Sequence, residues 1–363
     1  MSERVATFSH KGRGAQSGKL SGRFDDLERV PDGDWRDMAS LVDPDAPPPR
    51  TYVTVEHART IIARNQSPDV PFDRSINPYR GCEHGCIYCF ARPTHAFHNL
   101  SPGLDFETKL FVKPNAAQLL RAELSKGTYE VRTIAMGTNT DPYQPIEDHR
   151  FVTRSVLKTL AQFNHPVSIL TKSDRITRDL DILAPMAERG LAVAGLSLTT
   201  LDPVLASRLE PRAATPARRL KAVEALAKAG IPTLVCCAPM IPAINDHELE
   251  ALVQAAADAG ATRAAYIPLR LPHEIAPLFK EWLGVHYPGR AGHVMSLVRS
   301  IRDGRDNDPE FGSRMRGTGP YADTLRARFK VAMRRAGLED RRLPELRTDL
   351  FRVPGRAEQL GLF

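Results

Sequence analysis

Short runs of β-branched and apolar residues recur along the middle of the chain. Each is followed by a stretch in which apolar residues return every three or four positions. The runs VRTIAM (131–136), VSILT (167–171), LAVAGLSLT (191–199), IPTLVCCAP (231–239) and ATRAAYIPL (261–269) read as buried strands. FDRSINPYR (72–80) reads as a short strand ahead of them. Between strands, Val152, Val156, Leu157, Leu160 and Phe163 fall on one helical face. Thr215 and Pro216 form an N-cap and first-turn pair for a helix that Gly230 closes. Asn245 and Glu248 are spaced as a capping box, with Gly260 at the far end.

About six strand–helix units predict a parallel sheet wound right-handedly, short of the eight units of a closed barrel. The predicted fold is therefore α/β, a partial (β/α)6 barrel over 71–285. Residues 286–363 are expected to form a basic helical extension and tail. Residues 1–70, polar and including DPDAPPPR, are expected to be a flexible polar leader that wraps the domain in places.

Composition narrows the class. Of 363 residues, 42% are hydrophobic and 26% charged, the balance of a globular protein. No apolar run reaches the length of a membrane span, and the first twenty residues lack a signal peptide's apolar core, so a cytoplasmic location is expected. Five cysteines, three of them crowded together, argue against a disulfide framework and for metal or redox chemistry. The net charge of +7 is uneven: from Arg290 to Phe363, 16 Arg and Lys stand against 10 Asp and Glu. Such a surface suits nucleic acid, with Arg316, Arg326, Arg334, Arg335, Arg341 and Arg342 as contributors, or is simply a solvated helical face.

The crowded cysteines are Cys82, Cys86 and Cys89, spaced C-x3-C-x2-C in RGCEHGCIYCFARPTH. They follow the first strand, at the end of a parallel array where active residues gather. Two chemistries fit three thiolates. Zinc takes all three plus His84, His95 or His98 as a closed Cys3His site. Alternatively, the three hold three irons of a [4Fe–4S] cluster and leave the fourth iron open to a small molecule.

With Tyr88 before the last cysteine, the motif resembles the signature of the radical S-adenosylmethionine (SAM) superfamily. The blocks PYRGCEHGCIYCFARPTH, GLDFETKLFVK, GTNTDPYQPIE, ILTKSDRITRDLDIL, SLTTLDPVLASRLEPRAATPARRL and MIPAINDHE resemble the branch related to spore photoproduct lyase, over about residues 70–275. The resemblance implies an enzyme with a [4Fe–4S] cluster on Cys82, Cys86 and Cys89. It also implies SAM on the open iron, reductive cleavage to a 5′-deoxyadenosyl radical, and an electron donor such as flavodoxin or ferredoxin. The branch points to a nucleic-acid substrate and DNA-lesion repair. A protein or small metabolite is the alternative substrate. A nucleic-acid-binding protein with a structural zinc site is the alternative of another class.

Individual residues have expected places. Gly137, Thr138 and Asp141 follow strand two and suit the SAM ammonium group, and Lys172 suits its carboxylate or a substrate phosphate. Ser197 and Thr199 share a facing and suit the ribose; Asn245 suits adenine or ribose. Glu210 and Arg212 flank a helix start as a possible ion pair. The branch's namesake carries a hydrogen-donating cysteine after strand two, whereas Gly137 to Asp141 has none here. Tyr143, Tyr88 or Tyr266, or one of Cys236 and Cys237, are the remaining relay candidates; adjacent strand residues point oppositely, so only one of the two cysteines faces the barrel interior. Finally, Gln359, Leu360, Leu362 and Phe363 in the terminal QLGLF resemble the pentapeptide that docks bacterial repair proteins on the DNA sliding clamp.

Overall fold

A computed structural model describes residues 10–24 and 49–355. The terminal QLGLF lies outside the described residues. In chain order the strands are β1 (Tyr52–Val55), β2 (Ile62–Arg64), β3 (Arg74–Ile76), β4 (Tyr79–Arg80), β5 (Lys109–Val112), β6 (Ile134–Met136), β7 (Val167–Thr171), β8 (Ala192–Ser197), β9 (Thr233–Met240) and β10 (Arg263–Pro268). One sheet has seven strands in the order β10-β9-β8-β7-β6-β3-β2. Its six strands from β3 to β10 run parallel, while β2 adds antiparallel at the edge. The sheet does not close, because β10 and β2 are its two ends. This is the predicted partial barrel.

Its strands coincide with the apolar runs for a physical reason. A parallel sheet is covered on both faces, so a central strand must be apolar throughout; β8 is buried along its whole length. Helix Val152–Gln162 buries Val152, Val156, Leu157 and Leu160 against the sheet. Pro216 opens helix Pro216–Lys228, and Gly230, at φ +72°, takes the left-handed turn after it.

The polar leader is more structured than its composition suggests. Ala15 and Gln16 are buried, and β1 pairs in parallel with β5 in a second sheet of order β1-β5-β4. Residues 13–16 are buried against the domain, so the leader wraps it there as expected, while in 49–70 only Ile61 is buried and β1 and β2 pair at the edges of their sheets. Helix Ile275–His286 ends one residue past the expected boundary at 285/286, with Trp282 fully buried.

The basic extension takes an unexpected path. Helix Gly319–Arg335 packs on helix Leu249–Asp258, and Phe329 meets Tyr266 at 4.7 Å between ring centroids. The chain then crosses the amino ends of the strands. Arg263 Nη1 donates to Arg341 O at 2.6 Å, Arg347 N to Gly190 O at 2.9 Å and Arg352 N to Phe163 O at 3.0 Å. Phe351 packs against Tyr129, Phe163 and His165. The cysteine loop leaves the opposite, carboxyl end of the sheet, so this basic tail does not line it.

Candidate active site

The cysteine loop begins at Gly81, whose φ of +73° and crowding exclude a side chain: a Cβ there would lie 2.7 Å from Leu110 Cδ2 and 2.8 Å from Phe106 O. Cys82 N donates to Phe106 O, and Cys89 N to Cys86 O. Behind the loop lies Arg92, fully buried. Its five N–H groups all find acceptors: Cys86 O, Gly85 O, Pro102 O, Gly103 O and the Glu107 carboxylate. Glu107 also accepts from Gly14 N at 3.0 Å and Ala15 N at 2.8 Å, binding the N-terminal strap to the loop.

The three thiols sense one another. Burial, Asp141 and the other two cysteines push the Cys82 thiol well above its ordinary pKa. Burial pushes Cys86 up to about 12, with Lys172 opposing. Three soft donors gathered on one loop suit iron–sulfur ligation. His84, buried on the same loop, leaves its Nε2 without a partner, as expected beside a site built for a further group. A Cys3His zinc site would take its histidine from His84, His95 or His98, and the partnerless Nε2 of His84 is available to it. His84 Nδ1 lies 3.3 Å from Asp141 Oδ2, His95 Nε2 bonds Lys109 O at 2.9 Å, and the His98 ring lies tilted against Phe111 at 5.0 Å between centroids. Among the described residues, no three His, Cys, Asp or Glu side chains are gathered closely enough to hold a metal ion, the three cysteines included.

The loop after β6 serves as a bracket. Gly137 (φ +89°) passes so close to β7 that a Cβ would sit 1.8 Å from Leu170 O. Thr138 Oγ1 and Asn139 N both donate to Asn77 Oδ1. Thr140 Oγ1 and Gln144 Nε2 donate to Gly81 O, and Gln144 Oε1 accepts from Glu83 N. Asp141 differs from its expected role. Its carboxylate accepts from Thr171 Oγ1 (2.6 Å), Lys172 N (2.8 Å) and Tyr143 N (2.9 Å) and faces His84. Burial would raise its pKa, yet His84, Thr171 and the Lys172 N–H hold it below the usual range. It ties three loops together, which leaves the backbone carbonyls rather than this carboxylate for a ligand. Tyr143 is buried, with its hydroxyl on Asp179 at 3.0 Å, and Tyr266 faces the outer helix. Neither stands at the site.

Lys172 does. Its ammonium lies 5.7 Å from the centroid of the Tyr88 ring, and no hydrogen bond to Nζ is present among the described residues. Burial would lower its pKa, but Cys86 and Glu210 raise it, so it stays a cation facing the thiols. Below it runs a closed network: the Tyr88 hydroxyl and Thr199 Oγ1 donate to Glu210, which is ion-paired with buried Arg219. Arg219 in turn bonds Ser197 O and Ala214 O. Glu210 thus pairs with Arg219, not Arg212, which pairs with Glu83 at 3.0 Å.

Thr199 and Asn245 are likewise consumed internally. Asn245 Nδ2 donates to Thr199 O and Pro239 O, and its Oδ1 accepts from Ile241 N, with the residue wholly buried. The capping box does not form; Glu248 instead receives Thr200 Oγ1 and Leu201 N. Ser197 keeps its hydroxyl free of partners among the described residues and stands opposite Cys236 in the β8–β9 register. Burial raises the Cys236 thiol to about 11 while Lys172 lowers it. Cys237 belongs to the main core.

Sequence reasoning missed Arg92, Glu107, Gln144 and Arg219. The first three sat inside the blocks CFARPTH, DFETK and DPYQP, whose density of polar residues amid apolar ones was the available signal.

A family model described as the radical SAM superfamily matches residues 76–256. An uncharacterized protein of Mycobacterium tuberculosis (strain H37Rv) is 38% identical over 232 residues, 63% of this chain and 68% of the relative. An uncharacterized protein of Methanocaldococcus jannaschii is 31% identical over 173 residues, 48% of this chain and 62% of the relative. Among solved structures, spore photoproduct lyase complexed with dinucleoside spore photoproduct superposes with a TM-score of 0.55 at 16% identity, covering 79% of this chain and 80% of that one.

Proposed function

Because the chain belongs to the radical SAM superfamily, we propose that Cys82, Cys86 and Cys89 hold three irons of a [4Fe–4S] cluster and leave the fourth to SAM. When bound, the cluster supplies one electron that breaks an S–C bond of SAM, giving methionine and a 5′-deoxyadenosyl radical able to take a hydrogen atom from substrate. The thiols must ionise to serve, and the metal's charge offsets the burial that keeps them protonated. Lys172 binds the SAM carboxylate as a charge-assisted pair. Carbonyls of Gly137 and Thr138 receive the ammonium, because Asp141 is already spent, and the Ser197 hydroxyl contacts the ribose.

The observation that carries this reading is the Lys172 ammonium, a cation over Tyr88 facing Cys86 with no hydrogen bond among the described residues. The substrate we take to be nucleic acid, damaged DNA first. The net charge of +7 and the fold shared with spore photoproduct lyase support that choice. An electron donor of the flavodoxin or ferredoxin type and docking of Gln359, Leu360, Leu362 and Phe363 on a bacterial sliding clamp belong to the same reading. Among the described residues no helix is long and apolar enough to cross a membrane; a cytoplasmic location completes the proposal.

The test is anaerobic reconstitution with iron and sulfide, then reduction with SAM in the presence and absence of ultraviolet-irradiated DNA. About four irons per chain and 5′-deoxyadenosine formation are expected. One zinc and no iron would overturn the reading.

A further inference from the structure

Among the described residues, four arginines keep a buried Nε with no hydrogen-bond partner: Arg74, Arg178, Arg270 and Arg302. Three of them are otherwise accounted for. Arg74 has Asp73 and Glu130 within 3.9 Å, and Arg178 has Glu147 at 2.9 Å. Arg302 spends its Nη groups on the carbonyls of Pro268, Leu269, Ser313 and Arg314. Arg270 differs. Among the described residues its one hydrogen-bond partner is the Met315 sulfur at 3.1 Å, a weak acceptor, and no carboxylate lies within ion-pair distance. A partly buried guanidinium whose Nε is shut off from water without an acceptor is less stable than one that has an anion.

The surroundings specify the missing partner. Arg270 lies two residues past β10, at the sheet end from which the cysteine loop also departs. Its neighbours Leu269 and Leu271 pack in the same apolar cluster as Cys86, Ile87 and Tyr88. Arg314 and Arg302 stand beside it, with Asp69 and Asp308 as the nearby carboxylates. Asp69 is taken by Arg314 and by Gly312 N, a link from the loop after β2 to segment 312–315 that touches Arg270. Both ends of the open sheet thus meet at this cation-rich spot.

We infer that Arg270, at the open edge of the partial barrel, is a phosphate anchor for a nucleic-acid strand entering from the side. A guanidinium fork matches two phosphate oxygens, and the excess of cations there repels other cations and favours a polyanion. The inference rests on the nucleic-acid reading above, and it places the contact beside Arg314 and Met315 of the extension and away from residues 341–352, which cross the other end of the barrel.

The experiment uses the reconstituted full chain and a short fluorescein-labelled oligothymidylate, with binding measured across a salt series. Arg270→Gln is expected to weaken binding about tenfold and to make the log–log salt slope shallower by about one. Arg270→Lys, which keeps the charge without the fork, should fall between; Arg335→Gln on the tail should bind as the unaltered chain does. A melting curve and uncoupled SAM cleavage, both expected unchanged in Arg270→Gln, separate loss of the anchor from loss of the fold. If that variant melts early, Arg270→Lys alone decides: affinity equal to the unaltered chain overturns the inference. Equal affinity of Arg270→Gln does the same. Polyglutamate bound in an Arg270-dependent manner, with no oligothymidylate binding, would assign the spot to an acidic protein. Failure to bind oligothymidylate while SAM cleavage persists would remove this inference and the substrate choice but leave the radical SAM reading intact.

Discussion

Arg92 and Glu107 form an ion pair with both side chains sealed from solvent, directly behind the loop that carries Cys82, Cys86 and Cys89. The pair is embedded in further hydrogen bonds, so removing one partner strands the other charge. Breaking such a buried pair costs about 3–5 kcal/mol, far more than the pair's own net contribution. Glu107→Ala is therefore expected to lower stability by that order in urea unfolding. It should also reduce iron bound after reconstitution, because the Gly85 and Cys86 carbonyls lose their anchored partner. Unchanged unfolding with full iron content would show that the clamp does not organise the loop.

Lys172→Met should separate cofactor binding from cluster assembly. The ammonium touches no protein acceptor, so its loss leaves no partner unsatisfied among the described residues. Iron content is expected to stay near that of the unaltered chain, while SAM affinity falls at least tenfold, as for a lost charge-assisted bond. Equilibrium dialysis with labelled SAM measures it. Unaltered affinity would assign Lys172 to substrate.

The strands were legible because burial on both faces forces apolar runs, as in β8. The cysteine loop was legible because three cysteines within eight positions follow the first strand of a parallel array. The roles of Asp141 and Asn245 were not. Both stand where a ligand-binding residue would, but a side chain's direction depends on neighbours distant in sequence: Asp141 meets His84 and Thr171, and Asn245 meets Thr199. Glu210 faced the same difficulty, with Arg212 adjacent but Arg219 one helix turn into the next element and better placed. The β1 and β2 strands escaped notice because they are short and largely exposed, so they carry little apolar pattern.

His165 gives the fold a pH dependence. Burial lowers its pKa to about 4, with its Nε2 beside the Tyr129 hydroxyl at 2.8 Å and Phe351 of the tail packed edge-on. In the unfolded chain it titrates near 6.5, so between about 6.5 and 4 the unfolded state binds a proton that the folded state refuses. Stability therefore falls as pH drops through that window, by up to about 1.4 kcal/mol per pH unit from this group. His165→Gln should flatten the difference between unfolding curves taken at pH 7 and pH 5. An identical pH slope in the variant would show that another group is responsible.

The N-terminal strap is held to the cysteine loop by a contact that admits no side chain. A Cβ on Gly14 would lie 1.8 Å from Gly85 O and 3.3 Å from Ile87 N, both backbone atoms of the loop itself. Gly85 cannot retreat, since its own φ is +66° and its hydrogen faces Glu107. The strap must move instead, and the Gly14 and Ala15 N–H bonds to Glu107 break with it. Two buried bonds to a carboxylate, at about 1.5–3 kcal/mol each, are at stake. Gly18 is the matched control, because a Cβ there meets nothing within 4 Å. Gly14→Ala should expose the chain around residues 10–24 to limited proteolysis and lower the iron retained after dialysis, whereas Gly18→Ala should do neither. Equal protection of both variants would mean that the strap is bound elsewhere and that the loop holds its shape without it.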